Sequence, residues 1–193
     1  MTEQEQADML NDAMDTQNIT DNSLRAGIAA IAMGESGFQM KPEMGYARTN
    51  NHRIRMIFGT RVANYDDNQL DALKANPEAF FNVVYGGPFG ERQLGNTQPG
   101  DGFKFRGRGL FQLTGRGNYD RYGKMVGVDL LADPDAADDP KTACALAVAY
   151  MKDRYRGGGW SAMKRAVGYN VPDIAAAKDQ LYTQYTQSGE FDA

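Results

Sequence analysis

One stretch of helical periodicity constrains the fold of this chain more than any other feature. After Asn22 and Ser23, the apolar residues Leu24, Ile28 and Ile31 recur at steps of four and three, and alanines fill most of the positions between them. Alanine lets neighbouring helices approach closely, so this helix suits a crowded core. A second strong helical pattern covers residues 140–154. The chain is therefore predicted to build its core from helices.

Weaker signals extend the helical prediction along the rest of the chain. Further helices are predicted at residues 3–14, 53–58, 68–75, 77–84 and 173–185. Between Tyr85 and Gly109 the sequence is rich in Gly, Pro and Asn, which predicts an irregular loop that is a candidate for function. A small hairpin is predicted at residues 103–113. No set of alternating strands is visible. The predicted class is mainly α, with at most a small β-hairpin.

Length and composition favour an ordinary globular protein. The chain has 193 residues, of which 41% are hydrophobic and 24% charged. A single domain over residues 1–193 is expected at this length. No apolar run reaches the ~18 residues that a membrane span needs, so no membrane insertion is expected. Residues 1–9 lack the basic and apolar regions of a secretory signal, so synthesis in a cytoplasm without a signal peptide is expected.

The counts of histidine, cysteine and charged residues argue against several classes of chemistry. With one histidine, His52, and one cysteine, Cys144, the chain cannot supply a zinc cluster or a matched Cys–His pair, so neither a metal nor a cofactor is expected. Cys144 is interpreted as a small buried hydrophobe. The net charge of −4 argues against nucleic acid as a partner. Basic residues do concentrate between Arg92 and Arg121, either on a solvated loop or on a cleft wall that meets an anionic polymer.

Glu35 continues the apolar stripe of the helix that begins near Asn22, because it follows Ile31 by four residues. On a buried face, loss of hydration disfavours the charged carboxylate, and the negative end of the helix dipole acts in the same direction. A raised pKa and a proton retained near neutral pH are therefore expected for Glu35, which suits a general acid. The other interpretation is a last-turn glutamate that points into water.

A second carboxylate and a hydroxyl, Glu43 and Thr49, follow in a short polar segment that can fold back over the end of this helix. Two carboxyl groups across a cleft, one protonated and one ionised, are the minimum apparatus for hydrolysing a glycosidic bond. Residues 35–49 are therefore candidates for a catalytic site.

Two segments resemble known motifs. Residues 107–119 read GRGLFQLTGRGNY, with Gly-Asp-Gly before them at 100–102 and VDLLADP after them at 128–134. This order and spacing resembles the signature of the family 19 glycoside hydrolases, the chitinase-like enzymes that include many bacteriophage endolysins. Residues 34–38, GESGF, resemble the family's catalytic-acid segment. Together the similarity covers about residues 24–170.

The resemblance implies a lysozyme-like fold in which two helical lobes enclose a substrate cleft, with Glu35 as general acid and an inverting attack by water. Positions that hold sugar or the attacking water in the family correspond to Gln112, Thr114, Asn118 and Asn170. Amide and hydroxyl groups suit sugar hydroxyls. Tyr85 and Tyr119 are candidates for stacking against sugar rings.

The general base has two candidates. Phage lysozymes resemble this layout in having an acidic residue and then a threonine shortly after the acid, here Glu43 and Thr49. The chitinases of the family place their second glutamate later in the chain, which makes Glu91 the alternative. An inverting mechanism needs carboxyl groups roughly 6.5 to 9.5 Å apart, with water between them.

The chain departs from the family pattern near both ends of the resemblance. The residue before Glu35 is glycine where the family usually has histidine, and one glycine after Ser36 is missing. Lys178 stands where the family places a basic residue near the acid; the other interpretation is a surface lysine.

The predicted function is cleavage of the β-1,4 bond between N-acetylmuramic acid and N-acetylglucosamine in bacterial peptidoglycan, by a monomeric phage endolysin or virion-carried lysin. No separate wall-binding module is expected, and the site of action is the cell wall, in the periplasm, after holin-dependent release or together with a virion tail partner. Chitin hydrolysis, a lytic transglycosylase reaction, and a catalytically silent virion or wall-binding protein remain as alternatives.

Overall fold

The coordinates, a computed structural model, describe residues 1–36, 38, 40–167 and 172–193, without the side chains of residues 35, 36 and 172–175. The mainly α prediction is confirmed. The helices are α1 Glu3–Thr16, α2 Asn22–Ser36, α3 Asn51–Phe58, α4 Asp67–Lys74, α5 Pro77–Val84, α6 Gly87–Phe89, α7 Asp101–Lys104, α8 Arg116–Val126, α9 Pro140–Arg154, α10 Gly159–Ala166 and α11 Pro172–Ser188. Tighter or wider helical turns lie at Gly59–Val62, Gly90–Leu94 and Pro134–Asp138.

Side-chain caps explain where several of these helices begin. The carboxylate of Asp66 accepts from the backbone N–H of Gln69 at the start of α4 and completes a capping box. Asn76 and Asp139 cap α5 and α9, each followed by a proline in the first turn, where a missing N–H costs nothing. The predicted starts of these helices therefore lie within one residue of the observed starts.

Helix α2 lies at the centre of a first lobe, which it forms with α1, α9, α10 and α11. Ile28 and Ile31 are fully buried, as their spacing predicts, but every residue from 25 to 32 is buried as well. A helix buried all round is a core helix rather than an amphipathic one. Even Arg25 is inside, where it pairs with Asp15 at 2.6 Å and donates to the carbonyl of Phe191 near the carboxyl end of the chain.

A second lobe forms around an aromatic cluster from α3, α5 and the segment before α3. Phe58 and Phe80 meet edge to face, with ring centroids 5.3 Å apart, and Tyr46 packs against both rings. Phe103 of α7 packs against Phe81 of the same cluster. Edge-to-face packing fixes ring orientation as well as burying apolar area. This lobe therefore gives a rigid support to the polar segment that contains Tyr46.

The predicted hairpin at residues 103–113 is reduced to one antiparallel bridge. Arg108 and Leu113 exchange both backbone hydrogen bonds, at 3.2 and 2.8 Å, around a tight turn. Helix α8 follows and packs on α9 through a third cluster that includes Tyr119, Tyr122 and Leu146. Helices α6, α7, α8 and α10 are not among the predicted elements, and the short helices α6 and α7 lie in the segment predicted as an irregular loop.

Residues 40–46 run from one lobe to the other. Met40 packs against the core of the first lobe, and Tyr46 belongs to the aromatic cluster of the second. Midway between them, the backbone N–H of Glu43 donates to the carbonyl of Gly107 at 2.8 Å. The segment that contains Glu43 and the glycine-rich segment at 107–119 are therefore joined at the boundary of the two lobes.

None of the helices in the described part of the chain combines the length and the apolar character that a membrane span requires.

Candidate active site

Three of the predicted site side chains lie close together around the α-carbon of Gly107. A β-carbon at this position would lie 2.7 Å from the carboxamide oxygen of Gln112, 3.3 Å from a carboxylate oxygen of Glu43 and 3.4 Å from the hydroxyl of Thr114. Glycine is required here because any side chain would enter the space that these groups share. The structure thus brings the carboxylate of Glu43 to an amide and a hydroxyl that lie much later in the sequence.

The backbone fixes Glu43 in this position. Besides the bond from its N–H to Gly107, its carbonyl accepts from the guanidinium of Arg106 at 3.2 Å. That guanidinium also lies over the ring of Phe103, 4.2 Å from its centroid, on the second lobe. Both backbone polar groups of Glu43, the N–H and the carbonyl, are therefore bound by residues 106 and 107.

Two tyrosines bind the carboxylate of Glu43. The hydroxyl of Tyr46 donates to one oxygen at 2.6 Å, and the hydroxyl of Tyr85 approaches both oxygens, at 3.2 and 3.0 Å. Burial and the nearby charge of Glu43 raise the pKa of both phenols well above the ordinary tyrosine value. Both hydroxyls therefore remain protonated donors at neutral pH, and they hold the half-buried carboxylate in one orientation.

Gln112 has a backbone conformation that few residues other than glycine adopt, with φ at +50°. Its N–H donates to the carbonyl of Gly109 at 3.3 Å, and its side-chain amide donates to the same carbonyl at 3.2 Å and to the carbonyl of Lys41 at 3.4 Å. Such a conformation costs about 1–3 kcal/mol and is often found at functional sites. Here it turns the carboxamide oxygen toward Gly107 and Glu43.

Thr114 and Asn118 are fixed by local hydrogen bonds. The hydroxyl of Thr114 donates to the carbonyl of Gln112 at 2.9 Å, which leaves its oxygen able to accept. The amide of Asn118 donates to the carbonyl of Thr114 at 2.7 Å from the first turn of α8. Thr114 therefore belongs to the group around Gly107, and Asn118 supports the backbone of that group.

Tyr119 does not suit the predicted role in sugar stacking. Its ring is fully buried and lies edge to face with Phe105, with centroids 5.2 Å apart. Its hydroxyl donates to the carbonyl of Arg106 at 2.7 Å and accepts from Arg108 at 3.0 Å. No face is left for a ligand, so Tyr119 is a core residue that supports the glycine-rich segment. Tyr85 is half-buried, with its ring parallel to that of Phe81 and its hydroxyl on Glu43.

Thr49 and Glu91 have surroundings that differ from those of the side chains around Gly107. Thr49 is half-buried just before α3, and its carbonyl accepts from the ammonium of Lys74 at 2.7 Å. Glu91 is exposed and lies along a separate polar groove that Asn96 also lines. Of the two candidate bases, Glu43 is therefore the one that the described residues join to Gln112 and Thr114.

Two predicted site residues fall outside what the structure describes: Asn170, and Glu35 beyond its backbone. The backbone of Glu35 belongs to the last turn of α2. Beside it, Lys178 is fully buried, which excludes the surface interpretation, and a β-carbon on Gly34 would lie 2.5 Å from Cγ of this lysine. The glycine before Glu35 thus makes room for Lys178.

Half of the basic residues between Arg92 and Arg121 pair with carboxylates of the same chain. Three guanidinium groups do so: Arg108 with Asp135 and Asp138, Arg116 with Asp101, and Arg121 with Asp153. Two of these carboxylates, on Asp101 and Asp138, are largely withdrawn from solvent. The charge of these three arginines therefore stabilises the fold.

Sequence reasoning missed Tyr46 and Gly107. Tyr46 follows Glu43 by three residues, but this spacing has no geometric meaning outside a helix, so only the fold brings its hydroxyl back to the carboxylate. Gly107 is visible in the sequence only as one of several signature glycines. Among the described residues, no group of three or more His, Cys, Asp or Glu is arranged to hold a metal ion.

Comparisons with known proteins agree with the resemblance seen in the sequence. No family model matches the chain. Over 76 residues the chain is 38% identical to a glycosyl hydrolase family 19 domain-containing protein of Haemophilus influenzae, a match that covers 39% of this chain and 36% of that protein. The matched segment thus spans about a third of that relative's length.

The fold also has a solved counterpart. The crystal structure of a chitinase C mutant superposes with a TM-score of 0.53 and 19% sequence identity, covering 93% of this chain and 82% of that chain. At this identity the likeness establishes a shared fold. It confirms the mainly helical, lysozyme-like class over nearly the whole chain.

Proposed function

We propose that this protein is a glycoside hydrolase that cleaves the β-1,4 bond between N-acetylmuramic acid and N-acetylglucosamine in bacterial peptidoglycan. The observation that carries the proposal is the convergence of Glu43, Gln112 and Thr114 on Gly107. A carboxylate, an amide and a hydroxyl around one small space can hold a water molecule and a sugar hydroxyl together.

Glu43 is the proposed general base. In an inverting reaction the base removes a proton from the water that attacks the sugar ring. The phenols of Tyr46 and Tyr85 donate to this carboxylate and fix its direction. The hydroxyl of Thr114 and the amide of Gln112 are the proposed second and third contacts of the attacking water. This arrangement positions the water before the reaction starts, which lowers the entropic part of the barrier.

Glu35 is the proposed general acid. Its backbone ends a helix that is buried on all sides between residues 25 and 32. The negative end of the dipole of this helix favours a protonated carboxyl group in its last turn. The acid would protonate the leaving oxygen while Glu43 activates water on the opposite face of the sugar.

Peptidoglycan is proposed over chitin because the signature resembles that of phage lysins. The proposed biological role is that of a phage endolysin or virion-carried lysin. Chitin is the second candidate substrate, since a solved structure with this fold is named a chitinase.

Parallel digests of purified peptidoglycan and of chitin oligomers test the proposal. The native protein should release reducing ends from peptidoglycan, and Glu35→Gln should abolish this release. Glu3→Gln, which changes an exposed glutamate on α1, is the matched control and should keep native activity. The native protein and Glu3→Gln should also clear chloroform-treated Gram-negative cells, whereas Glu35→Gln should not. Release from chitin alone would make chitin, and not peptidoglycan, the substrate. Anhydro ends would indicate a transglycosylase. No release from either polymer would favour a catalytically silent binding protein.

A further inference from the structure

A polar groove lies behind Tyr85, one of the two tyrosines that bind Glu43. It has a volume of about 470 Å³ and is lined by α5, the Gly90–Leu94 turn and the loop before α7. The amide of Asn96, one of its walls, donates to the carbonyl of Tyr85 at 2.8 Å, while the hydroxyl of Tyr85 donates to Glu43. The groove and the candidate base therefore lie at opposite ends of one tyrosine.

The walls of the groove are fixed by a buried ion pair. The carboxylate of Asp101 accepts from Arg116 at 2.8 Å through each of its oxygens and from the N–H of Gln98 at 2.9 Å. Asn96 in turn accepts from the N–H of Arg116 at 2.7 Å. Arg116 therefore holds both ends of the loop at residues 96–101 in place, so the walls of the groove are fixed without a ligand.

The lining of the groove indicates the chemistry of its ligand. Its polar side chains are amides and a hydroxyl, from Asn82, Asn96, Thr97 and Gln98. The oxygen of Asn82 accepts from the N–H of Phe103, and no described residue accepts from its amide nitrogen. Glu91 supplies the one charged group among the described residues that line the groove. A ligand rich in hydrogen-bonding groups that carries one positive charge fits this lining.

We infer that the groove binds the peptide branch of the glycan substrate, with the carboxylate of Glu91 receiving a free ammonium group of that branch. The inference rests on the proposed peptidoglycan activity. Peptidoglycan differs from chitin in carrying short peptides on its glycan strands, and branches that are not cross-linked keep a free amine on a diamino acid. Tyr85 links the two places, because its hydroxyl binds Glu43 and its carbonyl accepts from Asn96 in the wall of the groove.

Glu91 then has a binding role and not the catalytic role of a general base. A carboxylate that binds an ammonium group is sensitive to the charge of the substrate, whereas a general base is required for every substrate. Removing the amine's charge and removing the carboxylate's charge should therefore have the same effect, and the two effects should not add.

The experiment compares the native protein with Glu91→Gln on two substrates: purified peptidoglycan, and the same material after acetylation of its free amines. Acetylation should lower kcat/KM of the native protein by about two- to five-fold, the range of an exposed ion pair. Glu91→Gln should show this reduced value on untreated peptidoglycan and no further change after acetylation. Glu3→Gln, the matched control, should behave as the native protein does.

Three results would overturn the inference: a native protein indifferent to acetylation, a Glu91→Gln variant that responds to acetylation as the native protein does, or a variant equally inactive on both substrates. The last result would make Glu91 part of the reaction itself. Failure of the proposed function looks different, because the native protein would then release no reducing ends from either substrate.

Discussion

The hydroxyl of Tyr85 lies between the two carboxylate oxygens of Glu43, at 3.2 and 3.0 Å. Its ring is parallel to that of Phe81, with an interplanar angle of 10°, so the direction of the hydroxyl is set by packing in the second lobe. The backbone of Glu43 is attached to the glycine-rich segment instead. The orientation of this carboxylate therefore depends on both lobes at once.

Replacing Tyr85 by phenylalanine should weaken catalysis without unfolding the protein. The ring and its packing remain, while the carboxylate loses a donor worth about 1 kcal/mol or slightly more, so kcat/KM should fall about five- to tenfold. Because the lost donor orients the carboxylate, the fall should appear mainly in kcat.

Tyr65→Phe is the matched control for this variant, since Tyr65 packs on the same aromatic cluster and its hydroxyl has no partner among the described residues. Initial rates and thermal unfolding together separate a role in orienting Glu43 from a structural one. A native kcat in Tyr85→Phe, with the same Tm as the native protein, would mean that the hydroxyl does not act through Glu43.

Gly107→Ala should remove activity while the fold is retained. The new methyl group would lie 2.7 Å from the carboxamide oxygen of Gln112, and this oxygen is the movable end of a side chain, so the clash is relieved by displacing it. The free energy of unfolding should fall by no more than about 1 kcal/mol. Because the displaced group belongs to the site, kcat/KM should fall about 10- to 100-fold.

Gly117→Ala offers the comparison, because its nearest contact would be the carbonyl of Leu94, at 3.3 Å from the new β-carbon and away from the side chains around Gly107. Thermal unfolding and initial rates of reducing-end release measure both quantities. A Gly107→Ala variant with native kcat/KM would show that the space beside Gly107 is not used by substrate or water.

The helical part of the fold could be predicted from the sequence because helix α2 and helix α9 are long, rich in alanine and strongly periodic. Helix α8 escaped prediction because Gly117 and Gly123 interrupt its pattern. The steps from Tyr119 to Tyr122 and then to Val126 do follow helical spacing, and all three residues pack in one cluster. This signal predicts a buried Tyr119, but the signature drew attention to its ring as a ligand platform.

The candidate site was predictable only in part. Gln112, Thr114 and Glu43 carry suitable chemistry, yet their meeting at Gly107 depends on hydrogen bonds between distant segments that leave no periodic pattern in the sequence. The stripe that pointed to Glu35 was less selective than its spacing suggested, because residues 25 to 32 of the same helix are buried on every side. Spacing alone also gave no sign that Lys178 packs against Gly34.

Asp101 should make the stability of the protein sensitive to acid. Burial acts to raise the pKa of its carboxyl group, but the bonds from Arg116 and from backbone amides outweigh burial and leave the pKa below the ordinary value. A folded-state pKa below the unfolded value of ~3.9 gives stability that is present above this pH and is lost as the pH falls through the folded pKa. Asp101→Asn should cost about 2 kcal/mol at neutral pH.

Urea unfolding between neutral pH and about pH 3 measures this dependence. The native protein should lose stability more steeply below about pH 4 than Asp101→Asn does. Asp120→Asn, which removes an exposed partner of Lys124 on α8, should leave the slope nearly unchanged. Parallel curves for the native protein and Asp101→Asn would show that this carboxyl group does not set the acid limit.

The most direct measurement of the central claim is the rate at which Glu43→Gln and Glu91→Gln release reducing ends from purified peptidoglycan, with the fragments identified by mass. Glu43→Gln should fall by at least about 100-fold, as expected when a general base is lost, while it keeps the native Tm, and Glu91→Gln should fall only a few-fold. A Glu43→Gln variant that releases the same fragments at the native rate would contradict the assignment of the base and the site built around Gly107.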